Sequence, residues 1–240
     1  MTVDPAATRL AVALDVPDLA RVRALATTLA GRVGTFKVGL EAFVAHGAAA
    51  IEAARAGGAG IFLDLKFHDI PRTVAAAVRS AGRLGADLLT LHALGGPAMV
   101  AAAREAAEAL GPDRPRLLAV TVLTSHGPDD LEALRLVGPP EEAVLRLARL
   151  ALAAGADGLV ASAREAPALR AALGPEPLLV TPGIRPAGAA RGDQVRVTTP
   201  ADAIRGGSSL LVVGRPIVAA DDPAAAAEAI LAEIRDALSE

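Results

Sequence analysis

The sequence predicts an α/β protein that folds as a single (β/α)8 (TIM) barrel, and three observations support this prediction. First, eight short apolar runs alternate with longer segments of helical period along the 240 residues, and an alternation of strands and helices indicates a parallel sheet. Second, the runs are almost continuously apolar, as parallel strands buried on both faces are. Third, eight strands within this length match a closed barrel of roughly 250 residues better than an open sheet with fewer strands.

Each predicted strand is rich in apolar residues and ends at, or directly before, a polar residue or a glycine. The predicted strands are, in chain order, Leu10–Asp15, Thr35–Val38, Gly60–Lys66, Leu88–His92, Leu117–Leu123, Gly158–Ala161, Leu178–Thr181 and Leu210–Val213. Chemistry in such barrels gathers at the carboxyl ends of the strands. The polar strand ends therefore predict a functional site on one face of the barrel.

The segments between the strands are rich in Ala, Arg and Glu and have a helical period. They predict the helices Leu19–Ala30, Glu41–Ala56, Pro71–Leu84, Pro97–Leu110, Pro140–Ala154, Ala163–Ala172, Ala201–Arg205 and Pro216–Leu238. Some begin with Pro and end near Gly, as does the segment from Pro71 to Gly85, which is the usual arrangement at helix ends.

No Gly- or Ser-rich linker divides the chain, so residues 1–240 are predicted to form one domain, with residues 1–8 as a short N-terminal tail. The longest irregular stretch, Gly183–Thr199, lies between the seventh and eighth predicted strands. A connection of this length in a compact fold is usually functional.

The composition excludes several classes of function. A net charge of −3 provides no basic surface for nucleic acid or for an anionic membrane. The absence of Cys excludes disulfides, thiolate metal sites and a Cys nucleophile, and four scattered His without metal-ligand spacing argue against a metal centre. Neither a leader peptide nor a long apolar run is visible, so we expect a cytoplasmic protein without a membrane span.

The two lysines are the most unusual feature of the composition. Of 24 basic residues, all but Lys37 and Lys66 are Arg. Arg forms better bidentate salt bridges, so a purely structural cation in this chain would be expected to be Arg. Lys differs because it can lose its proton and presents a compact charge, as a proton donor, a general base or a Schiff base requires. The pattern indicates a chemical role for one or both lysines.

The strongest charge cluster is Asp64-x-Lys66-x-x-Asp69 at the end of the third predicted strand. Side chains alternate along a strand, so Asp64 and Lys66 are expected on the same face of an otherwise apolar segment. Lys37 is the single cation of the second strand and is expected nearby. One interpretation is a structural ion-pair network. We favour a catalytic site, because burying two lysines and two carboxylates is costly and apolar residues would often serve stability as well.

A second cluster follows the seventh and eighth strands, where barrels of this type frequently bind phosphate. Arg185 and Arg215 are expected to make planar, bidentate contacts with a phosphate. Gly214 leaves room for backbone N–H groups to approach an anion, and the helix beginning at Pro216 is expected to contribute the positive end of its dipole. The tripeptide Gly214-Arg215-Pro216 alone is equally typical of a helix cap. Its position after the eighth strand, with Arg185 on the preceding loop, favours a phosphate site.

The segment Ile61–Val74, with the sequence IFLDLKFHDIPRTV, resembles the signature of the orotidine 5′-phosphate decarboxylase family. Further matches, in the expected order, are Ala13–Asp15, Phe36–Gly39, Val120–Ser125, Val180–Arg185, Gly192–Gln194 and Val213–Ile217. The resemblance covers nearly the whole chain and is to the bacterial form. It implies a dimeric (β/α)8 barrel that decarboxylates orotidine 5′-phosphate to UMP, the last step of de novo UMP synthesis, without a metal or an organic cofactor.

The resemblance also implies a role for each matching residue. The catalytic group is Lys66, which protonates C6 as CO2 leaves, together with Asp64, Asp69 and Lys37. In the family, the residues that match Asp69, Ile70 and Thr73 reach the active site of the partner subunit of the homodimer. The implied substrate contacts are Asp15 and Lys37 with the ribose and Asp64 with the carboxylate. Thr124 or Ser125 is implied to contact the pyrimidine. The implied phosphate contacts are Arg185, Gln194, Gly214 and Arg215, and Pro182 is a further substrate-binding residue.

Two alternatives remain open. A Mg²⁺-dependent sugar-phosphate decarboxylase or synthase shares the Asp-x-Lys-x-x-Asp pattern, but a metal-binding carboxylate would be expected in place of Lys37. A non-catalytic phosphate-binding barrel would bind UMP and decarboxylate nothing.

The chain departs from the family at Gly206–Ser209, where Gly-Ala-Asp is more usual. This segment precedes the eighth strand, so it bears on packing and not on the site.

Overall fold

The computed structural model describes residues 4–136, 138–186 and 198–240. The strands are β1 (Leu10–Ala13), β2 (Thr35–Gly39), β3 (Gly60–Phe67), β4 (Leu88–His92), β5 (Arg116–Val120), β6 (Gly158–Val160), β7 (Leu178–Thr181) and β8 (Leu210–Val213). They pair in parallel in chain order, and β8 closes the barrel on β1. The predicted (β/α)8 barrel is confirmed, with every predicted strand present.

The helices connect successive strands on the outside of the barrel. They are α1 (Leu19–Thr28), α2 (Leu40–His46), α3 (Ala48–Arg55), α4 (Pro71–Arg83), α5 (Gly96–Glu108), α6 (Pro128–Ala133), α7 (Pro140–Ala153), α8 (Ala166–Leu173), α9 (Pro200–Arg205), α10 (Arg215–Val218) and α11 (Pro223–Leu238). Short 3-10 turns precede β1 at Ala7–Arg9 and follow β4 at Ala93–Gly95. Pro lies in the first turn of several helices, including α4 and α7, where its missing N–H is harmless.

Two of the predicted helices are each divided in two. The predicted helix Glu41–Ala56 is interrupted at Gly47, whose φ of 56° lies in the left-handed region that ends helices. The predicted helix Pro216–Leu238 consists of the one-turn α10 and the longer α11. Asp222 caps the start of α11, because its side chain accepts two backbone N–H groups of that helix. The short helix α6 was not predicted.

Two apolar layers form the core. The larger layer fills the space between the strands and the surrounding helices. The smaller layer fills the inside of the barrel and consists of Ala11, Ala13, Phe62, Leu88, Leu118, Val180, Leu210 and Val212. Because Ala13, Phe62 and Val212 also line a cavity at the carboxyl ends of the strands, the interior layer forms the floor of that cavity.

The amino ends of β4, β6 and β8 carry a repeated contact. The residue before each of these strands accepts the backbone N–H of the second residue of the preceding strand: Asp87 from Ile61 (2.7 Å), Asp157 from Leu117 (2.7 Å) and Ser209 from Leu179 (3.1 Å). Asp157 also accepts hydrogen bonds of 2.7 Å from Arg104 and Arg114. This edge of the barrel is therefore held together by side chains that are remote from the cavity.

Residues 4–8, which were expected to form a tail, pack against the barrel. Ala6 and Ala7 are buried, and the carboxylate of Asp4 accepts two hydrogen bonds from Arg235 of α11. Within the described ranges, no helix combines the length and the hydropathy that crossing a membrane requires.

Candidate active site

Strand β3 departs from regular geometry where its charged residues lie. Its pairing with β4 is regular up to Leu63, opposite Leu89, and resumes at Phe67, opposite Leu91. Three residues of β3 therefore face one residue of β4, which makes this segment a bulge. Within it, Lys66 has a φ of 51°, a left-handed conformation that is uncommon for a residue with a side chain. Strain of this kind is concentrated at functional sites.

The ends of β1, β2 and β3 bring four charged side chains into one row of alternating sign. Lys37 Nζ lies 3.1 Å from Asp15 Oδ1 and 3.3 Å from Asp64 Oδ2. Lys66 Nζ lies 2.9 Å from both carboxylate oxygens of Asp64. The structure thus brings Lys37, Asp64 and Lys66 together. The contact between Asp64 and Lys66 forms across the bulge and not along a regularly alternating strand.

Asp64 is the central carboxylate of this row. Burial would by itself raise its pKa, but the positive charges of Lys37 and Lys66 and the hydrogen bonds from Lys66 and Thr90 outweigh burial and lower the pKa below its ordinary value. Asp64 is therefore ionised at neutral pH. The arrangement fixes a negative charge between two lysines at the edge of the cavity.

A cavity of about 570 Å³ opens at the carboxyl ends of the strands, a volume typical of small-molecule sites. Its floor is apolar, and its rim is charged. Nine of the predicted site residues line it: Asp15, Lys37, Asp64, Lys66, Thr124, Pro182, Arg185, Gly214 and Arg215. Of the two candidates for the pyrimidine contact, Thr124 lines the cavity, whereas Ser125 lies outside it.

Arg185 and Arg215 line the side of the cavity that is formed after β7 and β8. Arg185 is only 7% exposed, and its Nη1 donates to the carbonyl of Ile184 (3.1 Å). Burial and the positive charge of Arg215 lower the pKa of Arg185. Two neighbouring guanidinium groups at one end of a cavity form a positive region that an anion would neutralise.

The long helix expected to begin at Pro216 does not point its dipole at this end of the cavity. The helix that follows Gly214 is α10, which has four residues, so few peptide dipoles are aligned there. A Cβ at Gly214 would meet only Ala13 among the described residues, at an ordinary 3.5 Å. Packing within the described protein therefore does not require glycine at this position. The main cationic groups at this end of the cavity are the arginine side chains.

Asp69, Ile70 and Thr73 lie outside the cavity of their own chain. All three are exposed, and Ile70 is 66% exposed. The carboxylate of Asp69 accepts the backbone N–H of Ile70 (2.6 Å). In a single chain, the row of charges therefore runs from Asp15 to Lys66 and does not reach Asp69. Gln194, the remaining predicted phosphate contact, lies outside the described residues.

Two residues that were not predicted support the row of charges. Thr90 of β4 is fully buried and contacts both Asp64 and the backbone of Lys66. Gly39 ends β2, and a Cβ there would overlap Asp15 Oδ1 and lie 2.9 Å from Lys37 Nζ. A Thr within an apolar strand and a Gly after a strand are both common, so neither could be recognised without the structure.

His92 lies beside this row but does not line the cavity. Its ring centroid is 5.5 Å from that of His68, and its Nδ1 is buried without a hydrogen-bond partner among the described residues. Burial, with the charges of His68 and Lys66, lowers the pKa of His92. Across the described part of the chain, no group of three or more His, Cys, Asp or Glu side chains is arranged to hold a metal ion.

Comparison with known proteins gives matches over nearly the whole chain. The family model "Orotidine 5'-phosphate decarboxylase / HUMPS family" matches residues 8–230. A relative from Anaeromyxobacter sp. (strain K), named "Orotidine 5'-phosphate decarboxylase", is 58% identical over 224 residues, 93% of this chain and 97% of the relative. A relative of the same name from Moorella thermoacetica is 56% identical over 234 residues, 94% of this chain and 92% of the relative. The crystal structure of orotidine 5'-phosphate decarboxylase from Lactobacillus acidophilus matches with a TM-score of 0.83 and 40% identity, covering 95% of this chain and 99% of that chain.

Proposed function

The chain belongs to the orotidine 5′-phosphate decarboxylase / HUMPS family, and from this premise we propose that it converts orotidine 5′-phosphate to UMP and CO2, the last step of de novo UMP synthesis. One observation carries the proposal. The row Asp15, Lys37, Asp64 and Lys66 shares a cavity with the phosphate-binding candidates Arg185 and Arg215. The cavity therefore offers a reactive ammonium at one place and an anion-binding region at another.

The chemistry of the reaction accounts for this charge pattern. Loss of CO2 from C6 of the pyrimidine leaves an electron pair with no adjacent electron sink, so the barrier is high and must be lowered electrostatically. In the proposed mechanism, the ammonium of Lys66 faces the developing charge and transfers a proton to C6. The electron pair of the broken C–C bond becomes the new C–H bond, and the neutral amine of Lys66 then regains a proton from water.

The other residues of the site are assigned to binding and placement. Asp64 lies beside the substrate carboxylate and holds Lys66 Nζ at 2.9 Å. Binding energy from the distant phosphate is realised at the reacting carbon. The proposed ribose contacts are Asp15 and Lys37. The pyrimidine is assigned to Thr124, which lines the cavity, or to Ser125, which lies outside it. The proposed phosphate contacts are Arg185, Gln194, Gly214 and Arg215, and Pro182 also lines the cavity.

We also propose that the reaction needs neither a metal nor an organic cofactor. Lys37 Nζ lies 3.3 Å from Asp64 Oδ2, and its positive charge opposes a divalent cation at that carboxylate. A Mg²⁺-dependent sugar-phosphate decarboxylase or synthase would be expected to have a metal-binding carboxylate in place of Lys37. The charge pattern therefore favours the decarboxylation of orotidine 5′-phosphate.

The active form is proposed to be a homodimer in which Asp69, Ile70 and Thr73 of each subunit complete the site of the other. These three residues are exposed, and in the described part of the chain no ion pair joins Asp69 to the row. Large exposed apolar side chains follow the carboxyl ends of β2, β3 and β4, namely Leu40, Val44, Ile70 and Leu94. Exposed apolar side chains grouped at one end of a barrel are typical of an interaction surface.

The function is tested by following the absorbance of orotidine 5′-phosphate with the wild type, Lys66→Ala and Lys66→Arg. Both variants are expected to lower kcat by at least ~10³-fold, because Ala removes the charge and the proton and a guanidinium is a poor proton donor. The exposed residue Arg23 of α1 supplies a control, and Arg23→Ala should retain the wild-type rate. An active Lys66→Arg enzyme would contradict the role of Lys66.

Two further outcomes distinguish the alternatives. A wild type that binds UMP but decarboxylates nothing would contradict the proposed function and favour a non-catalytic phosphate-binding barrel. Treatment of the wild type with EDTA is expected to leave the rate unchanged. Complete loss of activity that Mg²⁺ restores would contradict the metal-free mechanism.

A further inference from the structure

The hydroxyl group of Thr90 joins the bulge of β3 to the neighbouring strand β4 at this charged row. Thr90 lies between Leu89 and Leu91, and it is 0% exposed. It faces the segment of β3 in which the regular pairing with β4 is lost. A buried hydroxyl is costly unless it is hydrogen-bonded, so its contacts are decisive for its role.

This hydroxyl uses both its acceptor and its donor to bond to residues of the row of charges. Thr90 Oγ1 accepts the backbone N–H of Lys66 at 2.9 Å and lies 2.9 Å from Asp64 Oδ1. The backbone N–H of Lys66 can only donate, so the single proton of the hydroxyl is free to point at Asp64. Thr90 therefore bonds at the same time to the backbone of one charged residue and to the carboxylate of the other.

The bond from the backbone N–H of Lys66 to Thr90 satisfies a donor that the disrupted sheet leaves unpaired. A bulge removes the regular ladder hydrogen bonds of the extra residues, and Lys66 adopts its left-handed conformation within this bulge. A residue in such a conformation persists only where its surroundings hold it. The side chain of Thr90 takes the place of the missing backbone acceptor.

The second bond orients the carboxylate that holds the lysine. Asp64 Oδ1 receives both the hydroxyl of Thr90 and the ammonium of Lys66, each at 2.9 Å. Movement of the carboxylate would therefore move Lys66 Nζ with it. One buried hydroxyl constrains the lysine at both ends, through its backbone and through the partner of its side chain.

We propose that Thr90 is a positioning residue for the reaction, whose hydroxyl holds the strained backbone of Lys66 and the carboxylate of Asp64 in the geometry that proton transfer to C6 requires. This inference rests on the proposed function. Thr90 does not line the cavity, so it acts through Lys66 and Asp64, which its hydroxyl contacts.

The test compares Thr90→Val, Thr90→Ser and the control Thr181→Val. Val keeps the shape and removes the hydroxyl, whereas Ser keeps the hydroxyl. Thr181 is also buried, but its hydroxyl bonds to Ser208 at 3.1 Å, away from the row. Thr90→Val is expected to lower kcat by about 10- to 100-fold with KM changed less than about threefold, because the reacting group is misplaced while the phosphate end is intact.

The expected pattern is that Thr90→Ser restores kcat to within about threefold and that Thr181→Val stays within about twofold of the wild type. Thr90→Val with the kcat of the wild type would overturn the inference. So would a Thr90→Ser variant as impaired as Thr90→Val, or an equal loss of kcat in Thr181→Val, because either result would indicate a packing effect. Should Thr90→Val not fold, Thr90→Ala carries the same expectation.

A measurement that is independent of turnover separates this inference from the proposed function. Amide hydrogen exchange at Lys66 is expected to be at least about tenfold faster in Thr90→Val than in the wild type, Thr90→Ser or Thr181→Val. Unchanged exchange at Lys66 would overturn the role of Thr90 even in an active enzyme. An inactive wild type would reject the proposed function, and the exchange at Lys66 would then decide alone whether Thr90 holds the bulge.

Discussion

At the scale of single residues, the charge state of Asp64 depends on its neighbours. Lys37 approaches it from β2, Lys66 from its own strand and Thr90 from β4, while His92 lies nearby on β4. These contacts lower the pKa of Asp64 in spite of its burial. A carboxyl group whose pKa is lower in the folded state stabilises the fold above its unfolded pKa of about 3.9, and this contribution is lost as the pH falls through the folded pKa.

The lowered pKa of Asp64 gives a prediction for the stability of the Asp64→Asn variant. At pH 7, the variant should be less stable than the wild type by about 3 kcal/mol, because Lys37 and Lys66 lose the carboxylate between them. The difference should begin to shrink as the pH falls below about 4, where Asp64 of the unfolded chain takes up a proton. It should be lost once the pH has fallen through the lowered pKa of the folded state, where Asp64 is protonated and resembles Asn. Denaturant unfolding of the wild type and the variant at a series of pH values measures this difference in stability. A difference in unfolding free energy that stays constant from neutral to acidic pH would contradict the prediction.

At the scale of elements, the strands were predictable from the sequence because buried parallel strands are short, apolar and separated by helical segments. The bulge of β3 was not predictable, because Asp64 and Lys66 occur at the spacing of a regular strand and the lost pairing depends on β4. The role of Thr90 was hidden for the same reason. The interruption at Gly47 was missed because a glycine within an Ala-rich helical pattern is often tolerated.

The site was predictable to the extent that its residues stand at strand ends. Lys37, Asp64 and Lys66 could be assigned because charged residues within apolar runs are rare and conspicuous. Arg185 could be assigned because it follows the seventh strand, where barrels of this type frequently bind phosphate. Gly39 could not, since its role is to leave space between two side chains that meet only in the folded barrel. Contacts across strands depend on register, and the sequence pattern does not report register.

The amino-terminal edge of the barrel gives a prediction about stability. Gly-Ala-Asp precedes both β4 and β6, but the corresponding segment before β8 ends in Ser209. Ser209 Oγ accepts hydrogen bonds from Leu179 N–H and from Arg170 Nη2 (2.7 Å). Burial and the positive charge of Arg9 lower the pKa of Arg170. A carboxylate at this position would add the charge pairing that Asp157 has with Arg114.

We expect Ser209→Asp to raise the free energy of unfolding by about 1 kcal/mol, and the melting temperature by about 2–4 °C, with unchanged activity. The gain is modest because this corner is partly open to solvent. Ser209→Asn is the matched control, since it offers an acceptor without a charge and should gain little. Equal melting temperatures for the Asp and Asn variants would show that charge pairing with Arg170 does not stabilise this edge.

At the scale of the whole molecule, the two ends of the barrel have different roles. The amino ends of the strands carry carboxylate and hydroxyl groups that bond to backbone N–H groups and arginines, which stabilises the fold. The carboxyl ends carry the charged row, the bulge and the exposed apolar side chains after β2, β3 and β4. The candidate site and the proposed subunit contact therefore lie at the same end, and a contact there would bring Asp69 of one chain close to the site of another.

The proposed exchange of Asp69 between subunits predicts complementation between two inactive variants. Lys66→Ala and Asp69→Asn homodimers should each be nearly inactive. When the two chains are co-expressed in equal amounts, about half of the dimers are mixed, and one of the two sites in each mixed dimer combines an intact Lys66 with an intact Asp69 from the partner subunit. About one quarter of the wild-type activity should therefore return, as measured by the absorbance of orotidine 5′-phosphate.

The matched control for complementation is the mixture of Lys66→Ala with Lys37→Ala. Lys37 and Lys66 contact the same Asp64 within one chain, so each site of a mixed dimer still lacks one of the two lysines. This mixture should stay inactive, although its subunits associate as in the first experiment. If the first mixture is also inactive while its mixed dimers form, Asp69 does not act across the interface. If Asp69→Asn alone is fully active, the carboxylate is not needed, and the charged row is complete within one chain.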